Sequence, residues 1–236
     1  TIGEQALTNA LQRLARAGER KLLFLEGHGE RRPNGDANHD LKTWVTQIRS
    51  KGFAIDTLNL GQTPTIPAAT AVLVIPSPQV SLLPGEVQLI VDYVEQGGNL
   101  LWFSDPDNGM QGLQLLAEKL GIEFQPGTVV DATGMQLGID HPAFIIVANY
   151  PRHPITRELT TLSLFPKAHG ISVKGESDWK SVKLLNSMER AWSETGKMEG
   201  NLRYEEASDI PGPITIGLLL TRERSSAEDE YSALRD

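Results

Sequence analysis

The chain has 236 residues, 39% of them hydrophobic, enough for one large domain with a substantial core. Its formal net charge of −8 argues against nucleic acid, which requires a concentrated basic surface, and against docking on anionic lipid. There is no cysteine, so disulfides, thiolate metal sites and a cysteine nucleophile are excluded together.

Residues Ile2–Gly18 read as a helix, with Leu7, Ala10, Leu11 and Leu14 at helical spacing. A buried strand follows at Lys21–Leu25 and runs into the turn Gly27-His28-Gly29-Glu30, then into a polar loop, Arg31–Asn38. A helix is predicted over His39–Ser50, with Asp36, Asn38 and Asp40 as candidate caps and Gly52 past its end. Strands at Ala54–Leu60 and Ala71–Ile75 come next, the second closed by Pro76-Ser77-Pro78. The helix Pro84–Gln96 has proline at its start and Gly97-Gly98 beyond its end, the usual asymmetry of helix punctuation. A strand at Asn99–Phe103 and a helix at Gly112–Leu120 complete the first half. The order β-α-β-β-α-β-α with continuous apolar strands predicts an α/β fold with a doubly wound, mostly parallel sheet, flavodoxin-like in plan.

The second half predicts short strands at Gly127–Val130, Ala143–Val147, Leu162–Phe165, Val182–Leu185 and Pro213–Leu220, read as extra edge strands of the same sheet. His153-Pro154-Ile155-Thr156 predicts a short capped helix, and Trp192 a packing anchor. The expected division is a helix or linker over 1–18 and one α/β domain over 19–221. That domain has its core in 19–125 and an elaborated half in 126–221; a mobile charged tail follows over 222–236. No apolar run nears the ~18 residues of a spanning helix. Thr1 and the Ser-rich tail read as cuts in a longer protein, so the missing span does not argue against an anchor elsewhere.

In open α/β sheets, ligands and partners meet the protein at the C-terminal edge of the strands. The candidate binding residues are therefore Gly27, His28, Gly29 and Glu30 after the first strand, Ser77 after the third, and Ser104, Asp105 and Asp107 after the fourth. If a small molecule binds there, Glu30, Asp105 and Asp107 favour a cationic or polyhydroxylated one. The plainer reading of Gly27–Glu30 is a tight turn with His28 and Glu30 exposed. His28 and Glu30 alone are too few for a metal site. Gly27-His28-Gly29 lacks the third glycine and the immediate helix of a dinucleotide fingerprint. No metal and no cofactor is expected.

The segment Asn99–Phe124 resembles the nucleophile-strand segment of class I glutamine amidotransferases, with Gln114-Leu115-Leu116-Ala117 and Leu120-Gly121 matching the helix. The elbow cysteine is missing; Phe103-Ser104-Asp105-Pro106 stands in its place, without a G-x-S-x-G pattern. The fold likeness stands and the chemistry is absent.

The islands together are similar to the auxiliary component of uncharacterised ABC-type transport systems, the group that includes gliding-motility auxiliary proteins. Gly27-His28-Gly29-Glu30, Ile75-Pro76 to Gly97-Gly98, Leu100–Phe103, His153–Thr156, Leu164-Phe165-Pro166, Leu184–Ser187, Trp192-Ser193-Glu194 and Gly212-Pro213 to Leu220 match in order, over about Leu7–Thr221. The resemblance implies a non-catalytic, extracytoplasmic (periplasmic) domain of a membrane-anchored protein, its tether expected outside this sequence, working beside an ABC permease and ATPase, with no catalytic residues to transfer. A related domain in intraflagellar-transport proteins is an interaction module. The competing expectations are an amidotransferase- or hydrolase-like enzyme using Ser104 or His28, and a motility scaffold.

Overall fold

The structure is a computed structural model that describes residues 21–131, 134, 138–139, 141–175, 177–199 and 202–223. The helix expected over 2–18 and the tail beyond residue 223 lie outside the described residues.

Four strands form a parallel sheet: β1 (Lys21–Leu25), β2 (Ala54–Leu58), β3 (Thr70–Pro76) and β4 (Leu100–Phe103), in the spatial order β2-β1-β3-β4. All seven residues of β3 are buried, as are the last four of β1, because helices cover both faces of the sheet. Alternate side chains split between those faces. Leu22, Phe24, Val72 and Val74 meet Trp44, Val45 and Ile48 of α1 (Lys42–Ser50). Leu23, Leu25, Leu73 and Ile75 meet Val87, Ile90, Val91 and Val94 of α2 (Pro84–Glu95) and Leu116 of α3 (Gln114–Leu120). Trp44 seals its face with edge-on contacts to Phe24 and Phe103, ring centres 6.0 Å away in each case.

Helix α1 begins three residues later than the sequence predicts. Asp40 does not cap it. Its carboxylate accepts the Arg32 amide at 2.8 Å and the Ala37 amide at 3.1 Å, bracing the preceding loop instead. Those bonds, the Arg32 amide first, hold its carboxyl below the usual carboxylate range.

The second half departs from the expectation. Its strands are not edge strands of the parallel sheet; they pair antiparallel among themselves. β5 (Ile122–Phe124) pairs with β9 (Ile171–Val173), and β7 (Phe144–Val147) with β8 (Ser163–Pro166). β10 (Lys180–Asn186) pairs with β13 (Thr215–Thr221), and β11 (Trp192–Glu194) lies between β12 (Ile210–Pro211) and β6 (Thr128–Val130). Consecutive parallel neighbours are joined by crossovers that carry a helix, as in the first half, whereas the described residues between these later strands lie mainly in loops and turns, and the strands adopt antiparallel partners. The layer still packs on the core. Ile122 joins the buried face under α2 and α3, and Phe124, Ile171, Trp179, Leu218 and Leu220 lie against it. Trp102 of β4 meets Phe124 edge-on at 5.1 Å. Trp192 is buried against Tyr204, as the anchor reading expects.

Residues 153–159 form turns, not a helix. Thr156 is buried and donates its hydroxyl to the Pro151 carbonyl at 2.7 Å, so it ties the loop back on itself and does not cap a helix. Among the described residues no helix is long and apolar enough to cross a membrane.

Candidate functional site at the strand C-terminal edge

Because the core strands are parallel, the chain leaves β1, β3 and β4 at the same edge of the sheet. In the order β2-β1-β3-β4 the chain passes from β1 to β2 on one side and then from β2 to β3 on the other side of β1, so the boundary between β1 and β3 is a topological switch point. The three segments picked from the sequence meet there.

The segments are bonded directly to one another. The amides of Gln79 and Val80 donate to the His28 carbonyl at 2.8 and 3.0 Å, and the Arg31 amide donates to the Pro76 carbonyl at 2.9 Å. The Ser77 amide donates to the Phe103 carbonyl at 3.1 Å. Ser77 takes a left-handed backbone (φ 58°), uncommon for a residue with a Cβ, and its side chain is held inside. Its hydroxyl donates to Asp105 Oδ2 at 2.5 Å, and Arg31 Nη2 straddles the same carboxylate at 2.6 and 2.8 Å. Asp105 is thus a hub joining the turns after β1, β3 and β4. Gly27 (φ 121°) and Gly29 (φ 75°) supply the backbone this closure needs. A Cβ on Gly29 would stand 3.0 Å from Gln79 Cβ.

His28 and Glu30 are not exposed, contrary to the plainer reading of the turn. Glu30 is buried, and the His28 side chain is only 12% exposed. The imidazole lies between two carboxylates, with Nε2 3.0 Å from Glu86 Oε2 and Nδ1 3.5 Å from Glu30 Oε1. Glu30 Oε2 accepts the His28 amide at 2.7 Å, and Glu86 Oε2 accepts the Leu83 amide at 2.8 Å at the start of α2. Each glutamate therefore closes its own turn while facing the histidine.

The remaining candidates are less engaged. Ser104 is half-buried, between Phe103 and the Asp105 hub. Asp107 is exposed and pairs with Lys167 at 2.9 Å, which holds the ammonium pKa above its usual value. Of the three acids expected to favour a cation, Asp105 faces Arg31, Asp107 faces Lys167 and Glu30 faces His28. Asp105 and Asp107 are thus each committed to a basic side chain, and Glu30 to the amide of its own turn. Among the described residues, no group of three or more His, Cys, Asp or Glu side chains is placed to hold a metal ion.

A family model described as an ABC-type uncharacterized transport system matches residues 19–233. The chain belongs to this family of ABC-transport auxiliary proteins. The match takes in both the parallel core and the antiparallel layer, and the family places the chain with the components of a transporter. A solved structure described as the mmIFT52 N-terminal domain is similar with a TM-score of 0.57 at 16% identity, over 75% of this chain and 81% of that one. At that identity the likeness is one of fold. No curated protein matches the chain.

Four residues of this auxiliary protein's edge escaped the sequence reading. Arg31 read as the first residue of a polar loop, and only the fold puts it beside Asp105. Glu86 carried a signal, three residues after Leu83 at a proline-started helix, where an acid commonly bonds the helix's first amides. Asn108 reaches Ser77 Oγ at 3.5 Å. His169 stacks on Phe124 (ring centres 4.6 Å, planes 5° apart), and burial pushes its pKa down, partly offset by the charge of Asp105.

Proposed function

We propose that this chain is a non-catalytic accessory domain that docks a protein partner of its ABC transport system on the C-terminal edge of the parallel sheet. In this reading it is the extracytoplasmic domain of a membrane-anchored protein whose tether lies outside this sequence. The permease is the partner it touches, and the ATPase belongs to the same complex. Residues 19–221 act as one α/β domain, its core kin to the amidotransferase-like sheet.

One observation carries the docking surface. The loop between β3 and α2 presents Val80 and Leu83, 61% and 64% exposed, on a backbone pinned from several sides. His28 holds Val80 through its carbonyl, the Gln111 carbonyl accepts the Leu82 amide at 3.0 Å, and Glu86 accepts the Leu83 amide. Two large apolar side chains on a rigid loop lose little entropy on binding, which suits a protein interface. Asp105 at this edge already faces the Arg31 guanidinium, which disfavours a free cationic solute there.

A hydrolase reading has one feature in its favour: Ser77 sits in a left-handed turn after a central strand, as the serine of a nucleophile elbow does. Its hydroxyl, however, is buried and donates to Asp105, and among the described residues no serine hydroxyl bonds His28.

The test is mild-detergent co-purification of the full-length tagged protein from its own membranes, parent beside a Val80→Asp/Leu83→Asp variant. Permease and ATPase should accompany the parent in stoichiometric amounts and be lost from the variant. Recovery of the parent alone from the soluble fraction would sink the proposal, and turnover of an amide or ester panel, lost in Ser77→Ala, would put the hydrolase in its place.

A further inference from the structure

The long connection between β7 and β8 lines an open cleft of about 650 Å³ that belongs to neither the core nor the edge described above. That volume lies within the range of about 300–1,000 Å³ common for small-molecule sites. The loop is held open by its own bonds. The Tyr150 hydroxyl lies 2.6 Å from Ser163 Oγ, 3.1 Å from the Thr161 carbonyl and 3.2 Å from that of Val147, anchoring one wall to the hairpin base. The Thr156 hydroxyl fastens the opposite side to Pro151. The amides of Thr156 and Arg157 both donate to the His153 carbonyl, at 3.0 and 2.8 Å, which tightens the turn carrying the basic side chains.

The lining is one-sided in charge. It contains Arg152, His153 and Arg157 and no carboxylate, in a chain whose net charge is −8. Among the described residues the acid paired with these groups is Glu158, outside the lining, which meets Arg157 at 3.8 Å with both side chains more than half exposed, a weak pair. His153 Nδ1 accepts the Ile155 amide at 3.2 Å, so in the neutral ring the proton sits on Nε2 and that nitrogen is a donor. Asn149, Tyr150 and Thr160 add neutral polar groups.

We infer that this cleft is a binding site for a small soluble oxyanion, a solute bearing a phosphate or carboxylate group, held by the Arg152 and Arg157 guanidinium groups and the His153 ring. Guanidinium groups match the geometry of both anions, and the neutral polar lining suits a hydroxylated body attached to the charged group. The site stands independently of the docking edge, since none of its residues belongs to that edge.

The test is an NMR titration of the ¹⁵N-labelled protein with inorganic pyrophosphate and, separately, with citrate, ionic strength being held constant with sodium chloride. Both classes of anion are thereby sampled. The expected result is saturable movement of the amides of residues 149–160 and of the two arginine side-chain signals with at least one probe, while the Gly27–Glu30 amides stay still. Arg152→Gln and Arg157→Gln should each weaken the Kd about tenfold or more, and Arg49→Gln, a surface arginine of α1, should leave it unchanged. Both cleft arginines are exposed, so the folds of these variants are expected to hold, and their melting midpoints check it. No saturable movement with either probe, or equal Kd in parent and cleft variants, would overturn the inference. So would binding to phosphatidylglycerol vesicles with neither soluble probe bound, which would assign the anion to a lipid headgroup.

Discussion

Removing the Asp105 carboxylate tests whether the edge is one pinned platform or three adjacent loops. Asp105→Ala takes away the acceptor of a buried serine hydroxyl and the partner of a guanidinium group at once. An unsatisfied buried hydroxyl costs about 1–3 kcal/mol. The ion pair is partly solvated, with Arg31 and Asp105 side chains 32% and 26% exposed, so screening discounts it to about 1 kcal/mol. The sum is a loss of roughly 2–4 kcal/mol. Asp105→Asn keeps an oxygen for Ser77 and loses mainly the ionic part, about 1 kcal/mol. Urea unfolding followed by circular dichroism reads both, with the denaturant slope expected to stay constant. In a double-mutant cycle, Arg31→Ala and Asp105→Ala should couple by more than about 0.5 kcal/mol. The hub is refuted if Asp105→Ala stays within about 0.5 kcal/mol of the parent, or if Asp105→Asn is as damaging as Asp105→Ala.

His169 makes stability depend on pH. In the unfolded chain its imidazole takes a proton as pH falls through about 6.5, whereas in the folded chain burial against Phe124 keeps it neutral to lower pH. The unfolded state therefore binds more protons in that window. Stability should fall as pH drops below about 6.5, by at most about 1.4 kcal/mol per pH unit, and His169→Gln should flatten that part of a denaturation-versus-pH curve. Gly112→Ala should cost about 2 kcal/mol or more, because Gly112 has φ 84° and a Cβ there would lie 2.7 Å from the Leu82 carbonyl oxygen. Gly85→Ala, with no atom within 4 Å of the new methyl, should be neutral or stabilising by up to about 1 kcal/mol; equal thermal midpoints for the two variants would refute the distinction. Val80→Asp and Leu83→Asp should each change stability by less than about 0.5 kcal/mol, since both side chains already face solvent.

The parallel core was legible because its signals are local. Leu22–Leu25 and Ala71–Ile75 are unbroken apolar runs of strand length, and Pro84 and Gly97-Gly98 bracket α2 to within one residue. Parallel order followed from the alternation of strands and helices. The second half was not legible in the same way. Its strands at Thr128–Val130 and Trp192–Glu194 are three residues each, too short to show a period, and they pair across more than sixty positions of sequence. The candidate edge was half legible. Strand ends and glycines located Gly27–Glu30, Ser77 and Asp105, but the burial of Glu30 depends on how its turn closes over the His28 amide, and the role of Arg31 on a partner brought in from the turn after β4. A charged residue beside a glycine turn looks solvated until its counter-charge is placed.

A docking edge requires that the permease touch Val80 and Leu83 in the working complex. The most direct measurement is photo-crosslinking in intact membranes, with p-benzoylphenylalanine placed at Val80 or Leu83 of the full-length protein and at Val173, a partly exposed position of β9, as control. Adducts to the permease from Val80 and Leu83, and none from Val173, are the predicted result. Permease adducts from Val173 alone, or none from any of the three positions, would contradict the docking edge.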